Sequence, residues 1–429
     1  MKTPQKIKLD TNSLTATCPA CGMLCDDIAI ARDDAQALKV TANGCSKSLA
    51  FFEQALKETK PKINGKEVDL ISAIQKAAEI LSVANQPLIA GSGTETQGMR
   101  TIMQLADKTG ATLDHMHSSA TMRNTLVLQN SGWQTTTLTE VKNRVDLLLV
   151  IGTDIVSQMP QFFKRIIWNE ATLFEQDTAA REVVYLGGSD LDTAPGVSPN
   201  GIKPTVLSCD VSQLPEVIAV LNALIRGKKL SVAQVAGIAV EQLQALADRL
   251  KAAKYSVVTW SAGAFNFPHA ELLVQNITEC INTLNQTTRA AGLPLTSGDG
   301  DSSVNNVATW ISGYPMRNSF KRGYPEYDPY AFKTEQLLGN DEADAVVWIS
   351  TFKAIQPPSS NKPLIVIGHP NTVFTQEPDV FIPVRIPGLQ QKGLMFRMDS
   401  SVTLPLKQLI NSELPSLSDV ISQIEAHVN

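Results

Sequence analysis

The chain has 429 residues, 43% of them hydrophobic and 18% charged, with a net charge of −5 at neutral pH. That length supports two or three domains with substantial cores. Mild acidity, without a basic stripe carrying interleaved aromatics, excludes the footprint of a nucleic-acid binder. No apolar run is long enough to span a bilayer, and Met1 to Lys6 leads into polar sequence without an apolar signal core, so a cytoplasmic chain with no membrane partner is expected.

The first motif in chain order is Cys18-Pro19-Ala20-Cys21-Gly22-Met23-Leu24-Cys25, followed by Cys45 after Asn43-Gly44. Thiols this close together, in a chain without a secretory signal, point to metal ligation rather than to disulfides. Three thiolates on one tight loop and a fourth from further along can hold the corners of a [4Fe–4S] cluster. A four-cysteine zinc site and an empty, vestigial site are the alternatives; zinc knuckles usually come in pairs, and here only one CxxC is present. Residues 14–50 read as a small metal-supported module, with short strands at Ile28 to Ile30 and Leu38 to Val40 around an acidic turn.

From about residue 69 the pattern changes to alternating helices and apolar strands. Asp69 to Val83 has helical periodicity with an aspartate cap. Pro87 to Ala90 reads as a buried strand running into Gly91-Ser92-Gly93, and Thr96 to Thr109 as a helix. Asp146 to Ile151 and Glu182 to Leu186 are two further strands, ending at Gly152-Thr153-Asp154 and Gly187-Gly188-Ser189. In the second half, Glu216 to Arg226 and Val235 to Ala253 read as helices. Tyr255 to Trp260, Ala345 to Ile349 and Pro363 to Ile367 read as strands, and Leu417 to His427 as a final helix after a strand-rich piece. Repetition of strand, small-residue turn and helix predicts an α/β fold with doubly wound parallel sheets. The segment 292–335, rich in Gly, Asn, Asp, Tyr and Pro, reads as a long ordered loop. The expected organisation is a cysteine-rich module over 1–60, α/β domains over 61–209 and 210–370, and a strand-rich segment with a helix over 371–429.

Ligands collect at the carboxyl ends of parallel strands. Gly91, Gly93, Gly152, Asp154 and Gly188 stand at such ends. Singly each reads as a tight turn; together they suit a crevice for a large nucleotide-like ligand, or the remnant of one. His115 and His117 read as hydrogen-bonded loop histidines, Gly298-Asp299-Gly300-Asp301 as a turn, and Cys209 and Cys280 as isolated buried thiols.

Several segments together resemble a known family. They are the cysteine motif with Cys25-Asp26-Asp27-Ile28, the run Val141 to Asp146, Thr309-Trp310-Ile311-Ser312-Gly313-Tyr314-Pro315, Arg322-Gly323-Tyr324-Pro325, and Ile386-Pro387-Gly388 through Arg397-Met398-Asp399. Over nearly the whole chain they resemble the B subunit of formylmethanofuran dehydrogenase, of the molybdopterin oxidoreductase (formate dehydrogenase-like) superfamily. The resemblance implies that architecture, with Cys18, Cys21, Cys25 and Cys45 as the [4Fe–4S] ligands. It also implies a cysteine thiolate on molybdenum or tungsten, held by two pterin dinucleotides and followed by a catalytic histidine. The matching segment, Ser118 to Asn124, offers Met122 and Arg123 instead, and no cysteine lies between Cys45 and Cys209. A thioether is a poor substitute for a thiolate on a high-valent metal, and an arginine cannot act as a neutral base.

This departure points to the branch formed by the formyltransferase/hydrolase complex of methylotrophs. The chain is then expected to be a non-redox scaffold subunit within an enzyme complex, its own molybdenum or tungsten site lost. Its implied partners are a zinc hydrolase subunit, a formyltransferase subunit, a C-type subunit and a methanofuran-type carrier. An active molybdenum or tungsten dehydrogenase and a non-enzymatic binding module on the same fold are the alternatives.

Overall fold

The computed structural model describes residues 14–33, 37–296 and 298–428. The first thirteen residues, and most of the acidic turn expected between the two early strands, lie outside the described residues. In chain order the elements begin with β1 (Leu14–Ala16), β2 (Ile28–Arg32), β3 (Leu38–Ala42), α1 (Ser46–Phe52), β4 (Lys62–Ile63) and β5 (Lys66–Glu67). Next come α2 (Leu70–Val83), β6 (Pro87–Gly93), α3 (Thr96–Thr109), β7 (Thr112–Leu113), α4 (Ser118–Ser131), α5 (Leu138–Arg144), β8 (Leu147–Ile151) and α6 (Ile155–Gln158). The middle of the chain gives β9 (Glu182–Leu186), β10 (Thr205–Leu207), α7 (Leu214–Ile225), β11 (Gln234–Val235), β12 (Ile238–Ala239), α8 (Val240–Ala252), β13 (Ser256–Trp260), α9 (Ala270–Leu284) and β14 (Ala290–Pro294). The last third gives α10 (Asp301–Ser312), β15 (Asn318–Ser319), β16 (Glu326–Tyr327), α11 (Thr334–Gly339), β17 (Ala345–Ser350), β18 (Leu364–Gly368), β19 (Val380–Pro383), β20 (Gly393–Phe396), β21 (Thr403–Leu406) and α12 (Leu417–His427).

These elements form two compact units. One takes the chain up to Ser118 and again from Gly298 onward; the other is the continuous stretch Ser119–Ser297. The division differs from the consecutive segments expected at 60, 209 and 370. Strand pairing decides it: β17 lies beside β6 in parallel, Val346 opposite Leu88 and Val347 opposite Ile89, so the last third of the chain completes a sheet begun in the first.

In the first unit the sheet order is β16-β15-β7-β6-β17-β18-β19-β4-β5. Its middle strands, β7 to β19, are parallel, and short antiparallel strands flank them. Alternate residues serve two cores. Val347, Ile349, Ile365 and Ile367 face α2, α3, α10 and α12, where Ile74, Ile102, Val304 and Ile421 are fully buried. Val346, Trp348 and Val366 face the other way, onto Leu337 of α11. Burial on both faces explains why these strands read as continuous apolar runs. Asp69 accepts from the Ser72 amide at 2.9 Å and caps α2, as expected. The amino-terminal β1-β2-β3 sheet is antiparallel and shares an apolar cluster with Phe51, Phe52, Leu389 and Leu406.

The second unit is an all-parallel sheet, β10-β9-β8-β13-β14. Its core joins Leu149, Ile151, Val184 and Trp260 to the inner faces of α7, α8 and α9, and Cys209 and Cys280 are buried within it.

Two expectations are corrected. The segment 292–335 is not a loop throughout, because Asp301–Ser312 forms α10. Its polar Ser and Asn residues hide a three-residue apolar stripe, Val304, Val307 and Ala308, at helical spacing. The helix expected from Val235 begins at Val240 instead, because Gly237, at φ +79°, turns the preceding residues into the β11-β12 hairpin.

Candidate functional site

The cysteine loop follows β1. The Cys18 amide donates to the Cys25 carbonyl at 2.9 Å and the Leu24 amide to the Cys21 carbonyl, which folds the loop back on itself. Cys45 is brought near by a turn with Asn43 at φ +61°. A Cβ at Gly44, next in sequence, would sit 2.4 Å from Val40, so the turn needs glycine there. Cys45 then caps α1, and its amide donates to Ser48 Oγ at 2.6 Å. Cys18 is buried and the other three thiols are half-buried. Burial pushes the Cys18 thiol well up, and the neighbouring thiols of Cys21, Cys25 and Cys45 add to the effect. The Cys21 thiol is raised by burial too, against the opposing cations Lys47 and Lys353. The four sulfurs are thus electrostatic neighbours. Among the described residues, however, no three Cys, His, Asp or Glu side chains are drawn together into a ready metal cage. The donor set fits a metal that takes four thiolates; the side chains are near one another without forming the cage.

Beside this loop the first unit gathers a buried charge cluster that sequence reasoning missed. Asp299 is 4% exposed and lies in the left-handed region at φ +52°. Its carboxylate accepts from Lys353 Nζ at 2.8 Å and from His117 Nε2 at 3.0 Å, and these two cations or donors hold it below the usual carboxylate range against the cost of burial. His115 is fully buried. Its Nδ1 accepts from the His117 amide at 3.1 Å, which fixes the neutral tautomer and leaves Nε2–H to donate to the Asp299 carbonyl. Burial lowers the His115 pKa further. Asp114, next in sequence, accepts from the His115 amide, from Arg317 and from the amide and hydroxyl of Thr334. The two loop histidines are therefore hydrogen-bonded as expected, and the Gly298-to-Asp301 turn is what they bond to. The GDGD run carried a signal for a turn only; nothing in the sequence marked Lys353.

The expected crevice residues fall in both units. In the first, Gly91 and Gly93 end β6 beside this cluster: the Met116 amide donates to the Gly91 carbonyl, and Thr351 donates through its amide and hydroxyl to the Gly93 carbonyl. A Cβ on Gly91 would sit 2.6 Å from the Ile349 carbonyl oxygen, so close strand packing alone requires glycine. In the second unit, Gly152, Asp154 and Gly188 come together at the carboxyl ends of the adjacent strands β8 and β9. Asp154 caps the short α6 by accepting from Val156 and Ser157, and Cβ atoms at Gly152 and Gly188 would meet Leu214 and Leu191. Each of these residues has a structural task within its own unit. Met122 is 3% exposed on α4, and the half-buried guanidinium of Arg123 donates to the Ala262 carbonyl, its pKa lowered by burial. Two further arginines are engaged locally: Arg322 pairs with Glu326 on the surface, and Arg100 donates to Gln97.

No protein-family model matches the chain. Among curated proteins it is 28% identical over 412 residues to the B subunit of the tungsten-containing formylmethanofuran dehydrogenase 2 of Methanocaldococcus jannaschii, covering 92% of this chain and 93% of that one. The chain is a homologue of the formylmethanofuran dehydrogenase B subunits. The corresponding protein of Methanococcus maripaludis is 26% identical over 94% of this chain. The Fhc B subunit of the formyltransferase/hydrolase complex of Methylorubrum extorquens is 26% identical over 339 residues, 78% of this chain and 87% of that one. Identity alone therefore does not separate the archaeal B subunits from the bacterial one. Among solved structures, the crystal structure of that FhcABCD complex with methylofuran contains a chain matching 86% of this one, with TM-score 0.73 and 23% identity. The likeness covers 98% of that chain and concerns the fold: mixed α/β with parallel sheets. No helix among the described residues is long and apolar enough to cross a membrane.

Proposed function

We propose that this chain is the B subunit of a cytoplasmic formyltransferase/hydrolase-type complex and performs no redox chemistry of its own. In such a complex a formyl group passes from tetrahydromethanopterin to a methanofuran-type carrier and is released as formate. A formyl amide and formate have carbon at the same oxidation level, so hydrolysis needs no electron acceptor. The hydrolase zinc and the formyltransferase site belong to partner subunits, and this chain, with a C-type subunit, gives them a surface and helps to shield the carrier. Its two α/β units and amino-terminal cysteine module are read as a molybdopterin oxidoreductase architecture that has kept its shape and lost its metal centre.

One observation carries this reading: no cysteine lies between Cys45 and Cys209, and the two that follow are buried in an apolar core. With Met122 and Arg123 near the expected place, the chain has no thiolate to offer molybdenum or tungsten there. The second reading, an active dehydrogenase, is favoured by the long matches to tungsten-containing B subunits. Elemental analysis of the anaerobically purified complex separates the two. Molybdenum and tungsten are expected to be absent; either one stoichiometric with this chain would overturn the scaffold reading.

For Cys18, Cys21, Cys25 and Cys45 we propose a retained metal, [4Fe–4S] or zinc, whose binding supports the fold of the amino-terminal module. The Cys18→Ser and Cys21→Ser variants are expected to lose that metal and to melt earlier, because metal-binding free energy contributes directly to folding. Unchanged metal content and unchanged melting would show that the site holds nothing.

A further inference from the structure

At the end of α10 the first unit turns a group of large apolar side chains toward solvent. Trp310 and Ile311 lie in the last turn of the helix, and Tyr314 follows the glycine that ends it. Ring contacts extend the group in two directions. Trp310 meets Phe396 of β20 edge to face with the centroids 5.7 Å apart, and Tyr314 stacks on Tyr327 of β16 at the same spacing. Alternate residues of a strand share a face, so Leu394 stands beside Phe396 on β20. Trp310, Ile311, Tyr314 and Leu394 are each between 39% and 55% exposed. Scattered exposed apolar residues are ordinary on a protein surface; a connected set with a tryptophan at its centre marks a binding face.

Size and charge say what such a face takes. At about 200 Å² for a whole large side chain, the exposed parts of those four residues leave on the order of 400 Å² of surface. Each partner in a stable interface gives about 800 Å², a little over half of it apolar, so the patch is about the size of one apolar interface core. Its edges are basic. Lys392 stands two residues before Leu394, Lys407 follows the Leu406 that pairs with Gly393 across the hairpin, and Lys321 lies in the turn between β15 and β16; all three are exposed. The acidic residues nearby are already engaged: Glu326 pairs with Arg322, Asp399 pairs with Arg397, and Asp328 accepts from the amides of Tyr330 and Ala331. Lys321 donates to Gln86 and Lys407 to the Thr15 carbonyl, so among the described residues the lysines at the edge meet no carboxylate.

We propose that this face is where the chain holds a partner subunit, a folded protein that offers an apolar pocket to Trp310 and Leu394 and an acidic rim to Lys321, Lys392 and Lys407. The two apolar residues anchor the contact, and the lysines orient the partner and speed its approach. A second copy of the chain fits worse, because a two-fold contact sets the same patch against itself and brings unmatched lysines together. The inference rests on the scaffold reading above and adds to it the surface that the scaffold uses.

The test is to combine the full chain with its hydrolase, formyltransferase and C-type subunits, following assembly by native mass spectrometry and affinity by interferometry at two salt concentrations. Trp310→Gln is expected to weaken assembly about 30-fold or more, as befits loss of an anchor. Lys392→Glu is expected to weaken it about tenfold, chiefly through slower association, and to reduce its dependence on salt. Ile71→Ser, an exposed change on α2, which packs against α12 and β19, should leave assembly unchanged. Because Trp310 also packs on Phe396, each variant is melted alone, and Leu394→Ser serves as a second anchor variant. Assembly that the Trp310, Leu394 and Lys392 variants all leave intact would overturn the proposal while the scaffold reading stands. Failure of the wild-type chain to join any of these subunits would overturn the scaffold reading and this inference with it. Self-association of the purified chain that Trp310→Gln abolishes would give the face to a second copy and likewise overturn the proposal.

Discussion

Replacing Gly300 by alanine is expected to destabilise the first unit by about 4 kcal/mol or more. Gly300 sits at φ +80° at the start of α10, and a Cβ there would lie 2.0 Å from the carbonyl oxygen of Thr94. The left-handed conformation alone costs a β-carbon about 1–2 kcal/mol. The steric clash adds more, because the opposing atom is backbone at the end of a central strand and cannot swing aside. Moving Gly300 would also pull on Asp299, whose carboxylate joins Lys353 to His117, and on Val304 and Val307 in the core. Gly323 supplies the control. It has nearly the same φ, +78°, with nothing within 4 Å of the added carbon, so Gly323→Ala should cost only about 1–2 kcal/mol. Urea denaturation, with hydrogen exchange at the α10 amides, measures both. Equal losses in the two variants would show that the contact with Thr94 does not matter.

Acidification is expected to weaken the fold from about pH 6.5 downward. His369 is 2% exposed, and burial lowers its pKa to about 4. Its hydrogen bonds say the same: Nδ1 accepts from the Asn371 amide at 3.1 Å, so Nε2–H donates to Gln54 Oε1, and a second ring proton would face another N–H. The folded state holds this ring neutral while the unfolded chain protonates it below pH 6.5. Between pH 6.5 and about 4 the unfolded state therefore binds more protons, and stability falls as pH falls, by about 3 kcal/mol in all. His115 acts in the same direction and in the same bonded arrangement. Asp299, whose pKa is lowered, contributes its loss only below the ordinary carboxylate range, and Glu95, raised by burial, works in the opposite sense. Stability measured from pH 7 to pH 4 should slope downward, and His369→Gln should flatten that slope. An unaltered slope in the variant would show that His369 is not the group responsible.

Local pattern made much of the fold readable. The strands at Glu182–Leu186 and Ala345–Ser350 and the helices at Thr96–Thr109 and Leu417–His427 stand where periodicity and apolar runs place them, because burial on both faces of a parallel strand leaves an unbroken apolar run. Pairing between distant strands was not readable. Nothing in the sequence near β6 says that its neighbour lies in the last third of the chain, since β17 and β18 carry the same kind of apolar run. The candidate site divides along the same line. Cysteine spacing is local, and it pointed to Cys18, Cys21, Cys25 and Cys45 as a group. The Asp299–Lys353–His117 cluster joins three separate segments, and each looks like an ordinary turn until the fold assembles them.

The split course of the first unit has a consequence for how the chain is made. Ribosomes add about 5–20 residues per second, and β17 emerges roughly 250 residues after β6, so one side of β6 stays bare for about 10–50 s. A half-built parallel sheet with an open apolar edge is a template for pairing with other nascent chains. Residues 119–297, by contrast, are contiguous and can close their own sheet during that interval. The amino-terminal thiols wait throughout, since Leu389 and Leu406, which pack in their cluster, are among the last core residues to appear. Yield from a heterologous host should then depend on chaperone supply and on slow synthesis more than the chain's final stability would suggest.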